Sequence, residues 1–204
     1  MEHLSKLFGT PARVKLLRLF LFNPEEAYDR DTVIKMARIT PETASKELAA
    51  LSRAEVIARK NFYKEVMRPG SKTPKKRKTV GWMLNQKFTH LRALTAFMRD
   101  TLTVSDKEIA KRFRGAGTIK LLIFAGFLAG KPDSALDVLI VGERLKEQHI
   151  ENAVRSLEAE CGQEIHYMML STEDYVYRRR VRDKLLRDVM DFEHVEVINK
   201  LAVK

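Results

Sequence analysis

Five cations fall within seven residues, Lys72, Lys75, Lys76, Arg77 and Lys78, with no acid among them. At that density Lys and Arg neutralise phosphates and release their condensed counterions, so the chemistry on offer is polyanion binding. A charge run alone is as often a solvated face, and its neighbours must decide. Other chemistry-bearing residues stand singly. Asp137 is one carboxylate in the run Ser134 to Gly142. It reads either as a strand-end carboxylate that caps a turn or as a residual phosphate or ligand group. Gly126 and Gly130 read as turn glycines. His166 reads as a satisfied residue on an apolar strand, and Cys161 as a core thiol with no base adjacent in sequence. The run Arg178-Arg-Arg-Val-Arg182 reads as the solvated face of a helix with Val181, Leu185 and Val189 inward, balanced by Asp183, Asp188 and Asp191.

The 204 residues, 45% hydrophobic and 32% charged, suffice for two modest domains. Collagen-like, disordered and disulfide-stapled classes are excluded, the last because Cys161 is alone. The start, Met-Glu-His-Leu-Ser-Lys-Leu-Phe, lacks the apolar run of a signal peptide, and no stretch approaches the roughly 20 apolar residues of a membrane span. A cytoplasmic protein with no membrane partner is expected. The net charge of +11 is unevenly divided: residues 1 to 115 carry 25 Lys+Arg against 12 Asp+Glu, and the remainder 13 against 15. The excess lies wholly in the N-terminal part, which points to a polyanion partner there.

The elements that must position the cations can be read from caps and periodicity. Thr10 and Pro11 open a helix to Phe22 with Val14, Leu17 and Leu21 as its stripe, and Asn23-Pro24 stops it. Asp29 caps a short helix to Ala37 with Val33, Ile34 and Ala37 inward. Arg38-Ile39 connects to Thr40-Pro41, which opens a third helix to about Arg53 with Ala44, Leu48 and Leu51 at core spacing. Two short helices joined by a tight turn, roofed by a preceding helix, form the helix-turn-helix layout. Val56 to Val66 and Thr79 to Leu84 read as strands around a Pro, Gly and Lys tract from Arg68 to Lys78, a hairpin with a long basic tip.

The segment Ile39-Thr-Pro-Glu-Thr-Ala-Ser-Lys-Glu-Leu48, followed by Ala54-Glu-Val-Ile57, resembles the recognition helix of winged helix-turn-helix transcription regulators. The resemblance spans roughly residues 5 to 85. It implies that Thr40, Glu42, Thr43, Ser45 and Lys46 face the major groove of double-stranded DNA. Arg59, Lys60, Lys64 and the lysines of the wing, Lys72, Lys75, Lys76, Arg77 and Lys78, would then contact phosphates.

Beyond it, Thr89 to Leu102 reads as an amphipathic helix with Leu91, Leu94, Phe97 and Met98, and Ser105 with Glu108 opens another; both are expected to connect two domains. Gly115-Ala-Gly117 introduces a buried strand, Ile119 to Phe124. A second strand, Leu136 to Val141, a helix from Leu145 to Cys161 ended by Gly162, and a third strand, Glu164 to Leu170, follow. Ser171-Thr-Glu-Asp174 opens a further helix. Strands alternating with helices make this half an α/β layer.

Ile119-Lys-Leu-Leu-Ile-Phe-Ala-Gly126, Ser134 to Gly142 and Glu164 to Asp174 together resemble the minimal nucleotidyltransferase fold, in the form fused behind a winged helix. Val80-Gly-Trp-Met-Leu-Asn85 fits the joint of such fusions. Active members carry Gly-Ser after the first strand and Asp-x-Asp on the second, because alternate strand residues point the same way and two carboxylates can share Mg²⁺ ions. Here Phe127 stands in the serine position, Ala135 in that of the first aspartate, and the third carboxylate position, near Ile165-His166, offers an imidazole. The resemblance therefore implies a degenerate domain with no catalytic residue, no metal and no cofactor, in which Gly126 and Asp137 are leftover nucleotide-site positions.

The expected protein is a two-domain α+β chain. Residues 1–87 form a winged helix-turn-helix DNA-binding domain, 88–115 a helical connector, and 116–204 an inactive nucleotidyltransferase-like α/β domain with a small mixed sheet. The expected function is transcription regulation through double-stranded DNA, as a homodimer, the C-terminal domain sensing a nucleotide or protein ligand or driving oligomerisation. Two alternatives stay open: an active nucleotidyltransferase targeted by its winged helix, and a winged-helix module that binds protein or RNA.

Overall fold

The structure is a computed structural model that describes residues 2–67, 73–102, 106–130 and 134–201. The chain is a mixed α+β protein with two small sheets, divided into a unit of residues 1–101 with 158–163 and a unit of residues 102–157 with 164–204.

The first unit begins with α1 (Glu2–Phe8) and α2 (Pro11–Phe22). The Thr10 hydroxyl accepts from the Arg13 N–H and, with Pro11 in the first turn, sets the start of α2. The sequence stripe of Val14, Leu17 and Leu21 understates this helix: Leu16, Leu19 and Phe20 are buried too, so α2 is covered on all sides. Even Arg18 is buried on it. Its guanidinium donates to the Thr101 and Glu160 carbonyls at 2.9 Å each, satisfying acceptors that helix ends leave open.

After β1 (Ala27–Tyr28), α3 (Arg30–Ala37) starts on the Asp29 cap and stops at Arg38 in the left-handed region. α4 (Pro41–Arg53) starts on the Thr40 cap. Its inward residues are Ala44, Leu48 and Leu51, as the periodicity predicts, and also Glu47. The buried Glu47 carboxylate accepts from Arg13 Nε at 2.7 Å and from the Thr10 hydroxyl at 2.9 Å. A charge taken out of water needs such partners, and here they fix α4 against the start of α2.

β2 (Ile57–Val66) and β3 (Lys75–Leu84) then pair over ten antiparallel rungs, from Ile57 opposite Leu84 to Val66 opposite Lys75. β1 adds a third strand in the order β1-β3-β2. Lys75, Lys76, Arg77 and Lys78 are therefore strand residues, a correction to the expected tip. Four successive cations read as a loop, but the ladder to β2 supplies backbone partners that side-chain character does not reveal. At Gly81 a Cβ would collide with the Tyr28 carbonyl oxygen and the Phe62 ring, so β1 approaches β3 only because this rung carries no side chain.

α5 (Leu91–Asp100) buries Met98 in the same core, and Leu91 and Leu94 pack against it. The last turn of the 147–161 helix, through Gly162, also belongs to this unit, where Gly162 adopts a φ of 74° and ends the helix as expected.

The second unit contains α6 (Asp106–Arg112), β4 (Thr118–Phe124), β5 (Val138–Glu143) and α7 (Glu147–Cys161). There follow β6 (Tyr167–Leu170), α8 (Thr172–Arg180), α9 (Lys184–Asp191) and β7 (Val195–Asn199). The sheet order is β6-β5-β4-β7, with β5 and β6 parallel and the other pairs antiparallel. Strand alternation builds two cores. Leu122, Phe124, Val138 and Ile140 pack with Ile109, Ile150, Val154 and Leu157. Leu121, Ile123, Leu139 and Val141 pack on the other face with Tyr175, Leu186 and Val189.

Three expectations change in this unit. The third strand is shorter than Glu164 to Leu170. The single helix through Val181 and Leu185 is two helices: Arg182 is left-handed, and Asp183 caps α9 by accepting from the Leu185 and Leu186 N–H groups. Leu186, rather than Leu185, is buried. β7 was not anticipated, although Val195-Glu-Val-Ile-Asn199 alternates at its start. Ser105 lies outside the described residues.

Candidate nucleic-acid interface

The candidate interface is built by α4 and the β2–β3 hairpin. α4 turns Thr40, Glu42, Ser45 and Lys46 to solvent, with Thr43 half-buried, because Ala44, Glu47, Leu48 and Leu51 occupy its inward side. Part of this polarity is spent within the helix. The Thr43 N–H donates to Thr40 Oγ1 at 3.3 Å, the two threonine hydroxyls share a 2.8 Å bond, and the Ser45 hydroxyl donates to the Pro41 carbonyl at 3.0 Å. Lys46 makes no side-chain bond among the described residues and presents its three donors outward.

The two strands of the hairpin carry Arg59, Lys60, Lys64, Lys75, Lys76, Arg77 and Lys78 against one acid, Glu65. Alternation divides them. Arg59, Lys76 and Lys78 share one face with Tyr63 and Trp82, while Lys60, Lys64, Lys75 and Arg77 share the other. Lys72 lies outside the described residues.

Two cations of this set have partners that sequence reasoning missed. Lys64 donates to both Asp29 oxygens, at 3.0 and 2.9 Å, and to the Thr32 hydroxyl at 2.7 Å. It thereby ties the hairpin to the start of α3, and its charge is already balanced. Burial pushes the Asp29 carboxyl up, but hydrogen bonds from Thr32 and Lys64 outweigh it and hold the group below the usual carboxylate range. The sign follows: a depressed carboxylate stabilises the fold above its unfolded pKa, and the contribution is lost as pH falls through the folded value.

Arg59 lies over the Trp82 ring, 4.2 Å from its centroid. The pair is a cross-strand neighbour, visible only once the register is known. Arg59 and Trp82 form one wall of an open groove of ≈ 800 Å³ whose opposite wall is the outer side of α4 at Ser45, Ala49 and Ser52. Thus α4 and the hairpin present one continuous concave surface, with Arg30 and Lys87 also on its rim.

The positions expected from the resemblance to be nucleotide-site remnants, in the second unit, are arranged differently. Asp137 is buried, accepting from the Phe127 N–H at 3.3 Å and from the His166 N–H at 2.9 Å. Gly126, at a φ of 55°, lies so close that a Cβ there would meet Asp137 Oδ1. The carboxylate thus caps the 3-10 turn Gly126–Ala129 and holds the chain ahead of β6. Ala135 is exposed, and Phe127 packs against the core. His166 is exposed with Nδ1 3.4 Å from Asp137 Oδ2, and Cys161 is buried. Among the described residues no group of three or more His, Cys, Asp or Glu side chains converges to hold a metal ion, and no helix is long and apolar enough to cross a membrane.

No family model matches this chain, and neither the curated proteins nor the solved structures compared with it include a match.

Proposed function

We propose that the first unit is a winged helix-turn-helix domain that binds double-stranded DNA and that the protein is a transcription regulator. The observation that carries this reading is the hairpin, which bears seven cations on its two strands and sets one of them, Arg59 on Trp82, across an open groove from the solvent-facing side of α4. In this reading α4 enters the major groove, Lys46 reaches a base edge or a phosphate, and the unpaired hairpin cations follow the backbone. The second unit is read as a degenerate nucleotidyltransferase-like domain with a ligand-sensing or oligomerising role. The use of its one leftover carboxylate as a backbone cap supports that reading.

The test is binding of the whole protein to duplex DNA across a salt series. Steep linear loss of log affinity with log salt supports the reading, since each phosphate neutralised adds about 0.9 to the slope. Flat or absent binding overturns it. Within this framework Lys46→Ala is expected to cost about 1 to 3 kcal/mol at a specific site and to relax sequence preference there. Site selection from a random duplex library checks this: an unchanged preference places readout on other side chains.

A further inference from the structure

The hairpin face that carries Arg59 has a second property that duplex binding does not use. Tyr63 stands on this face 69% exposed, and Val80 is 53% exposed beside it. Opposite Tyr63 is Lys78, and Lys76 follows on the same face opposite Glu65, so two lysines of the neighbouring strand border the ring. A ring held beside lysines with most of its surface in water adds little to the fold, because it removes little apolar surface from solvent. Phosphates alone require only the cations. Flat aromatic faces find a partner in unpaired bases, whereas in a duplex the base faces are already stacked on one another.

A second flat platform lies on the same face. Arg59 is held with its guanidinium carbon 4.2 Å from the Trp82 ring centroid, and the pair lines the ≈ 800 Å³ groove beside α4. Tyr63 stands four positions beyond Arg59 on β2, about 13 Å at the usual rise. Aromatic rings and guanidinium planes are the surfaces on which proteins stack splayed bases.

We propose that this face binds an unpaired stretch of DNA strand, with bases stacked on Tyr63 and on the Arg59–Trp82 pair and with Lys76 and Lys78 against its phosphates. The inference rests on reading the hairpin as a DNA-binding surface and adds single-stranded DNA to its ligands. Cationic charge and ring spacing together select a polyanion with exposed bases; DNA is chosen because the same unit is proposed to bind duplex DNA, whose phosphates an unpaired strand would replace at Lys76 and Lys78.

Trp82 is the sole tryptophan, so its fluorescence reports directly on this face. The whole protein is titrated with a thymine oligonucleotide, a uridine oligonucleotide and a mixed-sequence duplex. The expected result is quenching by the thymine strand, with Tyr63→Ala weakening that binding by about 5- to 100-fold and Tyr63→Phe, which keeps the ring, within about twofold of the native protein. Tyr63→Ala should leave duplex affinity unaltered. Duplex binding without thymine-strand binding overturns this proposal and leaves the duplex reading standing. Equal weakening of strand and duplex by Tyr63→Ala also overturns it, as does tighter binding of the uridine strand. Failure of every nucleic acid to bind overturns both readings together.

Discussion

Replacing Lys76 and Lys78 by glutamine is expected to lower the salt slope of duplex binding by about 1.8 and the affinity at 0.15 M salt by about thirtyfold, if each side chain contacts one phosphate. These two share the face of Arg59 and Trp82, which opens on the groove beside α4. Lys75 and Arg77 share the opposite face with Lys64, and Arg77 lies with Lys64 in the hollow beside Asp29 that Lys78 also borders. Their replacement is expected to have the smaller effect, and all four together cannot exceed about a thousandfold under the same relation. All four are exposed strand residues, so stability should change by no more than about 0.5 kcal/mol. Specific and non-specific duplexes should weaken alike, because phosphate contacts carry no sequence information. An unaltered slope would mean that these side chains are solvated bystanders and would remove the main support for the DNA reading.

The second large effect concerns Asp137. Asp137→Ala should destabilise the second unit by about 2 to 5 kcal/mol, because two N–H groups, those of Phe127 and His166, lose their acceptor in a buried setting. Asp137→Asn keeps one acceptor oxygen and should cost about half as much. Thermal unfolding checks both. If Asp137 serves this structural role, the native protein should transfer no nucleotide from any triphosphate to itself, to DNA or to RNA, and Mg²⁺ should raise its Tm little, since a ligand stabilises only according to its affinity for the native state. Ala135→Asp should not restore turnover, because Phe127 still occupies the turn where a triphosphate would be held. Labelled nucleotide incorporated by the native protein and lost in Asp137→Asn would instead establish the enzyme alternative.

Both predictions depend on features of different legibility. Helix starts were readable because their causes are local. Thr10, Asp29, Thr40 and Ser171 each accept from an N–H three residues on. Pro11 and Pro41 reinforce two of them, and a cap needs no distant partner. The two-face burial of β4 and β5 was foreshadowed by continuous apolar runs, since a strand covered on both sides has no polar alternation to show. In the same way Ala44, Leu48 and Leu51 named the inward side of α4, and by exclusion its outward side.

Tertiary structure decided what those elements do with their charges. Whether Lys75 to Lys78 form a loop or a strand depends on ten rungs to β2, a pairing that a run of cations disguises. That Lys64 is balanced by Asp29, that Arg59 rests on Trp82 and that Glu47 is buried against Arg13 are contacts across 35, 23 and 34 residues. The role of Asp137 likewise depends on His166, 29 residues away. Periodicity records which side of an element meets water, because burial acts on each residue separately. Partnership between polar groups depends on register and on the approach of remote backbone, and a charged residue looks the same in sequence whether its partner is another side chain, a backbone N–H or a phosphate.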